Sequence, residues 1–245
     1  MKYRLDRLLV DKGLAETRSK ATGIIMAGEV MVDGHVLTKA GSAVDENCVI
    51  HLKEVFPYVS RGASKLMTAL DAFDIDLKGL IAIDVGASTG GFCDLMLQRG
   101  AKKIYAVDVG HKQLHWRLRN DSRIINMEGV NARMLDTATI KDPCDLATFD
   151  VSFISLKLVI PPVLKVIKEG AGFIALIKPQ FEAGKNQVGK GGIVRDQGII
   201  DAVLKDMNAF FMQQHLEIEG IVPSSIKGAK GNQEYLCYAL YRGKR

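Results

Sequence analysis

Apolar positions follow two different rhythms along the chain. Over the first 52 residues they are sparse and short-ranged. Leu5, Leu8 and Leu9 of "RLDRLLVDKGL" share one helical face, with Gly13 placed to stop the helix. Ala21, Ile24 and Ile25 make a stripe on a second helix in "RSKATGIIMAG", with Thr17 or Ser19 as its cap and Gly28 at its end. "VMVDGHVL" then alternates around Asp33-Gly34, a dipeptide that supplies the positive φ angles of a tight hairpin. Two short helices and a hairpin predict a small α+β unit over residues 1–52.

"KEVFPYVSRGASK" breaks the pattern with a proline, a glycine and no periodicity, which places a linker at 53–60 and a second domain at 61–245. In that domain the rhythm lengthens. Strand-like apolar runs stand at 81–85, 103–107, 146–151 and 172–177, most of them separated by segments of helical spacing. Such alternation predicts an α/β fold, a mostly parallel sheet covered by helices on both faces. "LEIEGIVPSSI" and "EYLCYALYR" have only a loop between them and predict a terminal hairpin, so the sheet ends in an antiparallel strand.

Composition excludes several classes. With 47% hydrophobic and 25% charged residues the chain is ordinary for a soluble protein, and its first residues are too often interrupted by charge for a signal peptide. No apolar run has the length of a membrane span. Cys48, Cys93, Cys144 and Cys237 are scattered and form no CxxC or Cys/His pattern, so neither a disulfide framework nor a metal site is expected, and a reducing cytoplasm is. The net charge of +5 is compatible with a polyanionic partner. Part of it is local: residues 1–20 hold Lys2, Arg4, Arg7, Lys12, Arg18 and Lys20 against Asp6, Asp11 and Glu16.

The candidate chemistry starts at "IAIDVGASTGGFCDLM". An apolar strand ends in Asp84 and then turns through Gly86, Gly90 and Gly91, which remove side chains that would block a ligand from the backbone. The spacing is neither the dinucleotide GxGxxG nor the Gly-Lys-Ser/Thr of a phosphate loop. Asp108 closes the next strand, where a ribose diol is gripped in such folds, and an acid beside the turn suits a cationic head. A nucleoside carrying a positive amino acid group fits both acids, and that is S-adenosylmethionine.

With Asp108, "DVGASTGGF" resembles the cofactor site of the class I methyltransferases, whose Rossmann-like fold has seven strands. The resemblance implies cofactor contacts from Asp84, Gly86, Ala87, Ser88, Thr89, Gly90, Gly91, Phe92 and Asp108. It adds Gly129, Val130 and Asn131 after the third strand, and Asp150 after the fourth. Residues 1–52 resemble the small RNA-binding domain first known from ribosomal protein S4. That likeness implies that Lys2, Arg4, Arg7, Arg18 and Lys20 face structured RNA.

The acceptor is suggested by Lys65 in "SRGASKL", Asp150 in "FDVSF", Lys178 in "ALIKPQFE" and Glu234 in "GNQEYL". Each alone is ordinary: a lysine or glutamate at a strand end is usually a solvated charge, and Asp150 is placed to cap the following helix. Together they match the Lys-Asp-Lys-Glu tetrad of the FtsJ family of RNA ribose 2'-O-methyltransferases, and the whole chain resembles the TlyA branch of that family, historically labelled hemolysins. The resemblance implies methyl transfer to cytidine in ribosomal RNA or ribosomal subunits. Because the chain starts close to its first helix and ends soon after its last strand, it looks like the members that modify only the large-subunit RNA.

In that chemistry a ribose hydroxyl must lose its proton as it attacks the sulfonium methyl. Lys178 is the candidate base, or a cation that orients the hydroxyl and stabilises the nascent alkoxide. Asp150 would orient it, and Lys65 and Glu234 would position the nucleotide. "EAGKNQVGKGGIVRDQ", 182–197, reads as a loop flanking the cleft, with Lys185, Lys190 and Arg195, and Arg61 upstream, set for RNA phosphates. No metal, no stable membrane association and a monomer are expected. The competing readings are a membrane-lytic hemolysin and an inactive RNA-binding accessory protein.

Overall fold

The computed structural model describes residues 2–53 and 56–243, except for the side chains of Lys185 and Ala229. Of the expected linker, Glu54 and Val55 lie outside the described residues, as do the first residue of the expected first domain and the last two of the second. The chain divides into two units, Met1–Pro57 and Tyr58–Arg245.

In the first unit, β1 (Lys2–Arg4) leads into α1 (Leu5–Asp11) and α2 (Arg18–Met26). They are followed by β2 (Val30–Val32), β3 (His35–Val36), β4 (Ala43–Asp45) and β5 (Ile50–Leu52). Thr17 is the cap of α2, accepting a hydrogen bond from the Lys20 N–H at 3.2 Å. Asp33 and Gly34 have φ of 48° and 82°, the two left-handed residues that the β2–β3 hairpin requires. Leu5, Leu8, Leu9, Ala21, Ile25, Val30, Val32 and Val44 close a small core. Strands β1, β4 and β5 carry no apolar run long enough to be read in advance: β1 pairs with β4, and β5 pairs with β2.

The second unit opens with α3 (Ala63–Ala72), β6 (Ile81–Val85), α4 (Gly91–Gln98), β7 (Lys103–Asp108), α5 (Trp116–Arg119) and β8 (Ile124–Glu128). It continues through β9 (Cys144–Phe149), α6 (Leu156–Val163), β10 (Ile167–Ile177) and α7 (Pro179–Glu182). It ends with α8 (Gln197–Gln213), β11 (Leu216–Pro223) and β12 (Tyr235–Tyr241). One seven-stranded sheet has the order β11-β12-β10-β9-β6-β7-β8. From β10 to β8 the pairs are parallel; β12 runs antiparallel between β10 and β11. This is the α/β architecture of the class I methyltransferases.

Side chains alternate across the central strands. Ile83, Val85, Val107, Ala147, Phe149 and Phe173 enter a core closed by α6 and α8, whereas Ala82, Ile104, Ala106, Leu146 and Ile174 enter one closed by α3 and α4. Both faces are therefore dry, which is why the strands read as continuous apolar runs. Phe149, Phe173 and Phe211 are fully buried, with ring centroids 5.0 and 5.6 Å apart, and removal of any one ring should cost about 3–5 kcal/mol.

Candidate active site

The topology brings distant residues to one edge. In a parallel sheet the strand ends that follow β6, β7, β9 and β10 lie side by side, so Asp84, Asp108, Asp150 and Lys178 share the carboxyl edge. Because β12 is antiparallel to β10, its beginning lies at that same edge, and Glu234 immediately precedes it. Lys65 comes from the first turn of α3, whose apolar face packs beneath β12 and α4.

The four expected catalytic residues converge. Lys178 Nζ lies 2.6 Å from Asp150 Oδ1 and donates to Ser152 Oγ at 2.8 Å. Lys65 Nζ lies 3.5 Å from Asp150 Oδ2 and 2.8 Å from Glu234 Oε2. Asp150 thus sits between two lysine side-chain nitrogens, one near each oxygen. Glu234 is 2% exposed and Lys178 6%. The Glu234 Oε2 contact with Lys65 is an ion pair at close range without hydrogen-bond geometry. Burial alone would lower the pKa of Lys65, but the Asp150 and Glu234 carboxylates outweigh it and hold the ammonium above its ordinary value.

Glycine makes room for this arrangement at two places. Gly86 has φ +87°, and a Cβ there would stand 2.6 Å from the Asp150 carbonyl oxygen, so the strand tip and Asp150 meet only without a side chain. At Gly228 a Cβ would overlap the Glu234 carboxylate.

Two cavities meet at the carboxyl edge. The first, about 330 Å³, is lined by Lys65, Asp150, Lys178 and Glu234 and extends to Asp84, Gly86, Ala87, Ser88, Thr89, Gly91 and Phe92. The second, about 360 Å³, is lined by Val85, Val107, Asp108, Val109, Val130 and Asn131, with Ile154 and Val159. They share Gly86, Ser88, Asp150, Ser152 and Phe153. One end is apolar with a carboxylate beside it; the other is acidic on balance, with Asp84, Asp150 and Glu234 against Lys65 and Lys178. An adenosine joined to a cationic amino acid has that polarity, so the donor set fits S-adenosylmethionine. Asp108 accepts from the Ser88 N–H at 2.8 Å and the Gly110 N–H at 2.7 Å, which fixes its carboxylate at the cavity wall.

Asp84 is fully buried at the floor of the first cavity. It accepts from Cys93 Sγ at 3.0 Å and Thr148 Oγ1 at 2.9 Å, and burial pushes its pKa up to about 6 despite both bonds. Gly90 and Gly129, expected to touch the cofactor, do not line either cavity. Gly90, with φ +93°, opens α4, and a Cβ there would meet Leu114 Cδ1 at 2.8 Å; a Cβ on Gly129 would meet the His111 ring. Both serve the turns around the site.

Sequence reading missed Ser152, Phe153, Gln113, Gln180 and Phe181, all of which line the cavities. Phe153 is conspicuous: it is 91% exposed, has φ +64°, and its ring centroid is 5.2 Å from that of Phe181. "FDVSF" carried the signal, a second phenylalanine beyond the strand end with no helical or strand period to bury it.

The expected RNA-facing residues Lys2, Arg4, Arg7, Arg18, Lys20, Arg61, Lys190 and Arg195 are all exposed; the side chain of Lys185 lies outside the described residues. Arg4 and Arg18 converge on the buried Asp6. Arg4 Nε and Nη2 donate to its two oxygens at 3.1 and 3.0 Å, and Arg18 Nε donates at 2.8 Å. The hydrogen-bonded Arg4 guanidinium, joined by Arg18, holds the Asp6 carboxyl well below the usual carboxylate range. Arg7 pairs loosely with Asp11 at 3.9 Å and Lys20 pairs with Glu16. In the loop, Asn232 accepts from the Val194 N–H at 3.0 Å and donates to the Gly192 carbonyl at 2.9 Å, tying 189–194 to the segment that bears Glu234.

Comparison with known proteins agrees with this geometry. Residues 58–241 match the FtsJ-like methyltransferase family, and residues 4–50 match the S4 domain. A Bacillus subtilis protein provisionally named rRNA methyltransferase YqxC is 46% identical over 245 residues, covering 99% of this chain and 87% of that one. The 16S/23S rRNA (cytidine-2'-O)-methyltransferase TlyA of Mycobacterium tuberculosis is 40% identical, covering 96% of this chain and 88% of its own. A solved structure from Streptococcus thermophilus, provisionally named a hemolysin, is 42% identical with a TM-score of 0.77, covering 99% of this chain and 90% of that one. By its matched length, its sheet order and its relatives, this chain belongs to the FtsJ-like methyltransferase family.

Proposed function

We propose that Lys65, Asp150, Lys178 and Glu234 form the catalytic centre of an enzyme that methylates the ribose 2'-hydroxyl of a cytidine in ribosomal RNA, with S-adenosylmethionine as donor. The observation that carries this is the convergence of the two lysines on the two oxygens of Asp150, within a cavity that shares its wall with the apolar one beside Asp108. The donor supplies an activated methyl group on a sulfonium. Val107, Val109, Val130 and Val159 offer the apolar wall for its adenine, Asp108 the acceptor for its ribose, and Asp84 the buried acid on its cationic side.

The chain's own residues then handle the acceptor. Lys178 takes the proton of the 2'-hydroxyl, and Asp150 stabilises the ammonium as it forms and aims it. Lys65, held charged between Asp150 and Glu234, faces the developing alkoxide. Burial of Glu234 and Lys178 excludes water, which strengthens each of these interactions. Phe153 and Phe181 stand at the cavity mouth, where their rings offer a stacking surface to an unstacked base. Arg4 and Arg18, pre-positioned by Asp6, together with Lys190 and Arg195, supply phosphate contacts. A ribosomal substrate and four buried, unpaired cysteines fit a reducing cytoplasm.

The test is transfer of labelled methyl from S-adenosylmethionine to ribosomal subunits, followed by mapping of the modified nucleotide. Label on a cytidine 2'-oxygen supports the reading, and the mapped position identifies the subunit. Label on a base, on protein or nowhere overturns it. No specific observation favours a membrane-lytic reading, and among the described residues no helix is long and apolar enough to cross a membrane.

A further inference from the structure

The loop between β7 and β8 carries an exposed tryptophan that the proposed catalytic scheme leaves without a role. Trp116 is 67% exposed at the start of α5, yet the segment around it is firmly built. Leu114 and Leu118 are buried against Gly90. Glu128 accepts from the backbone N–H groups of Gln113 and Leu114 at 2.6 and 2.9 Å and pairs with Arg119 at 2.7 Å, and Arg119 Nε donates to the Leu114 carbonyl at 2.7 Å. Asn120 donates to the Trp116 carbonyl at 2.8 Å. A segment so tied has little freedom to fold the indole inward, so its exposure is a property of the scaffold.

The surroundings indicate what such a ring meets. The His115 N–H donates to the Thr89 carbonyl at 3.2 Å, and Thr89 lines the cavity that holds the two lysines, so the residue before Trp116 is tied to a wall of that cavity. The neighbouring segments carry cations. Arg117 is 54% exposed, its guanidinium 3.8 Å from the buried Asp94. Asp94 also accepts from the Val59 N–H at 2.8 Å, so α5 is tied to the strap that ends in the exposed Arg61. Lys112, exposed with φ +58°, precedes Trp116 by four residues in the same loop.

We infer that Trp116, with Arg117 beside it, Lys112 in its loop and Arg61 on the strap tied to α5, is a stacking platform for an unpaired base of the RNA strand next to the methylated nucleotide. A rigid aromatic face between cations recognises single-stranded nucleic acid, because every base has a π-face and every linkage a negative charge. The inference rests on the ribosomal RNA reading above and adds to it a contact outside the acceptor pocket.

Trp116 is the only tryptophan of the chain, so its emission reports on this position alone. The intact protein is titrated with a protein-free ribosomal RNA transcript that it methylates, after prior saturation with S-adenosylhomocysteine. The expected result is quenching of the tryptophan emission on addition of RNA. With Trp116→Ala, the KM for RNA should rise about tenfold while cofactor affinity and kcat hold; Trp116→Phe should recover most of the loss. If the wild type methylates the RNA while its emission is unmoved and the Trp116→Ala KM stays within twofold, the platform alone is overturned. Quenching by the cofactor product with no further change on RNA also overturns it. If the wild type transfers no methyl to ribosomal RNA, the underlying reading falls and the platform falls with it.

Discussion

Lys178 Nζ and Asp150 Oδ1 are 2.6 Å apart, the closest pairing among the tetrad's four residues. They end adjacent parallel strands, so their separation is set by the sheet and not by a flexible loop.

Lys178→Ala should lower methyl transfer by about 10²–10⁴-fold while the dissociation constant of S-adenosylmethionine changes only a few-fold. Lys178→Arg should be equally inactive, because an arginine cannot accept a proton near neutrality. Substantial turnover in the arginine variant would make Lys178 an orienting cation. The measurement is single-turnover rate against pH.

Gly228→Ala should disturb catalysis without touching the cofactor. Gly228 has an ordinary φ of −67°, so the added methyl brings no backbone strain; it displaces the Glu234 carboxylate and loosens its hold on Lys65. The expected outcome is a loss of kcat of about tenfold or more with cofactor affinity retained, read by isothermal titration beside the methylation assay.

Asp84 predicts a pH dependence. Its pKa is about 6 in the folded chain against 3.8 unexposed to the fold, so protonation favours folding. This contribution is fully present below pH 3.8 and is lost as the pH rises through about 6. Asp84→Asn should therefore flatten stability between pH 4 and 6 and gain relative to wild type above it, by up to about 3 kcal/mol. A bound cation favours the ionised acid, so wild-type cofactor affinity should weaken as the pH falls through 6, and the variant should lose that dependence. Denaturant melts and cofactor titrations across this range check both.

Asp6→Asn should weaken RNA binding although Asp6 offers RNA no positive charge. Its carboxylate holds Arg4 and Arg18 in place, and the amide has only one acceptor oxygen for three donors. Because the folded pKa is depressed, the stabilisation from Asp6 is present above the ordinary carboxylate range and lost as the pH falls below it. At neutral pH the first unit should lose about 1–3 kcal/mol and the RNA affinity should fall severalfold. Thermal melting and filter binding at fixed salt read the two effects.

Phe153 carries backbone strain, since a non-glycine residue at φ +64° costs about 1–2 kcal/mol. Phe153→Gly should raise stability by about 1 kcal/mol and raise the KM for RNA. An unchanged KM would remove the ring from substrate contact.

Much of the fold was legible in advance because it is written in short-range patterns. The runs at 81–85, 103–107, 146–151 and 172–177 read as strands because the central sheet is dry on both faces, and Asp33-Gly34 marked its hairpin by backbone preference alone. The run at 124–128 lacked that continuity because β8 is an edge strand with Ile125 and Asn126 turned to solvent. Helix α5 is too short to show a period, and β10 begins five residues before its apolar run because a bulge separates Ile167 from Gly172.

The sequence by itself determined the element order, the glycine-rich turn after Asp84, and which lysines and acids were candidates, since each depends on neighbours within a few residues. Only the tertiary structure decided which charges meet. Lys65 and Glu234 are 169 residues apart, and their ion pair exists because an antiparallel last strand starts where the parallel strands end. Burial likewise comes from packing between distant segments. It raises the pKa of Asp84 to about 6 and is withheld from Phe153 and Trp116, which face water, and no local pattern of residues encodes it.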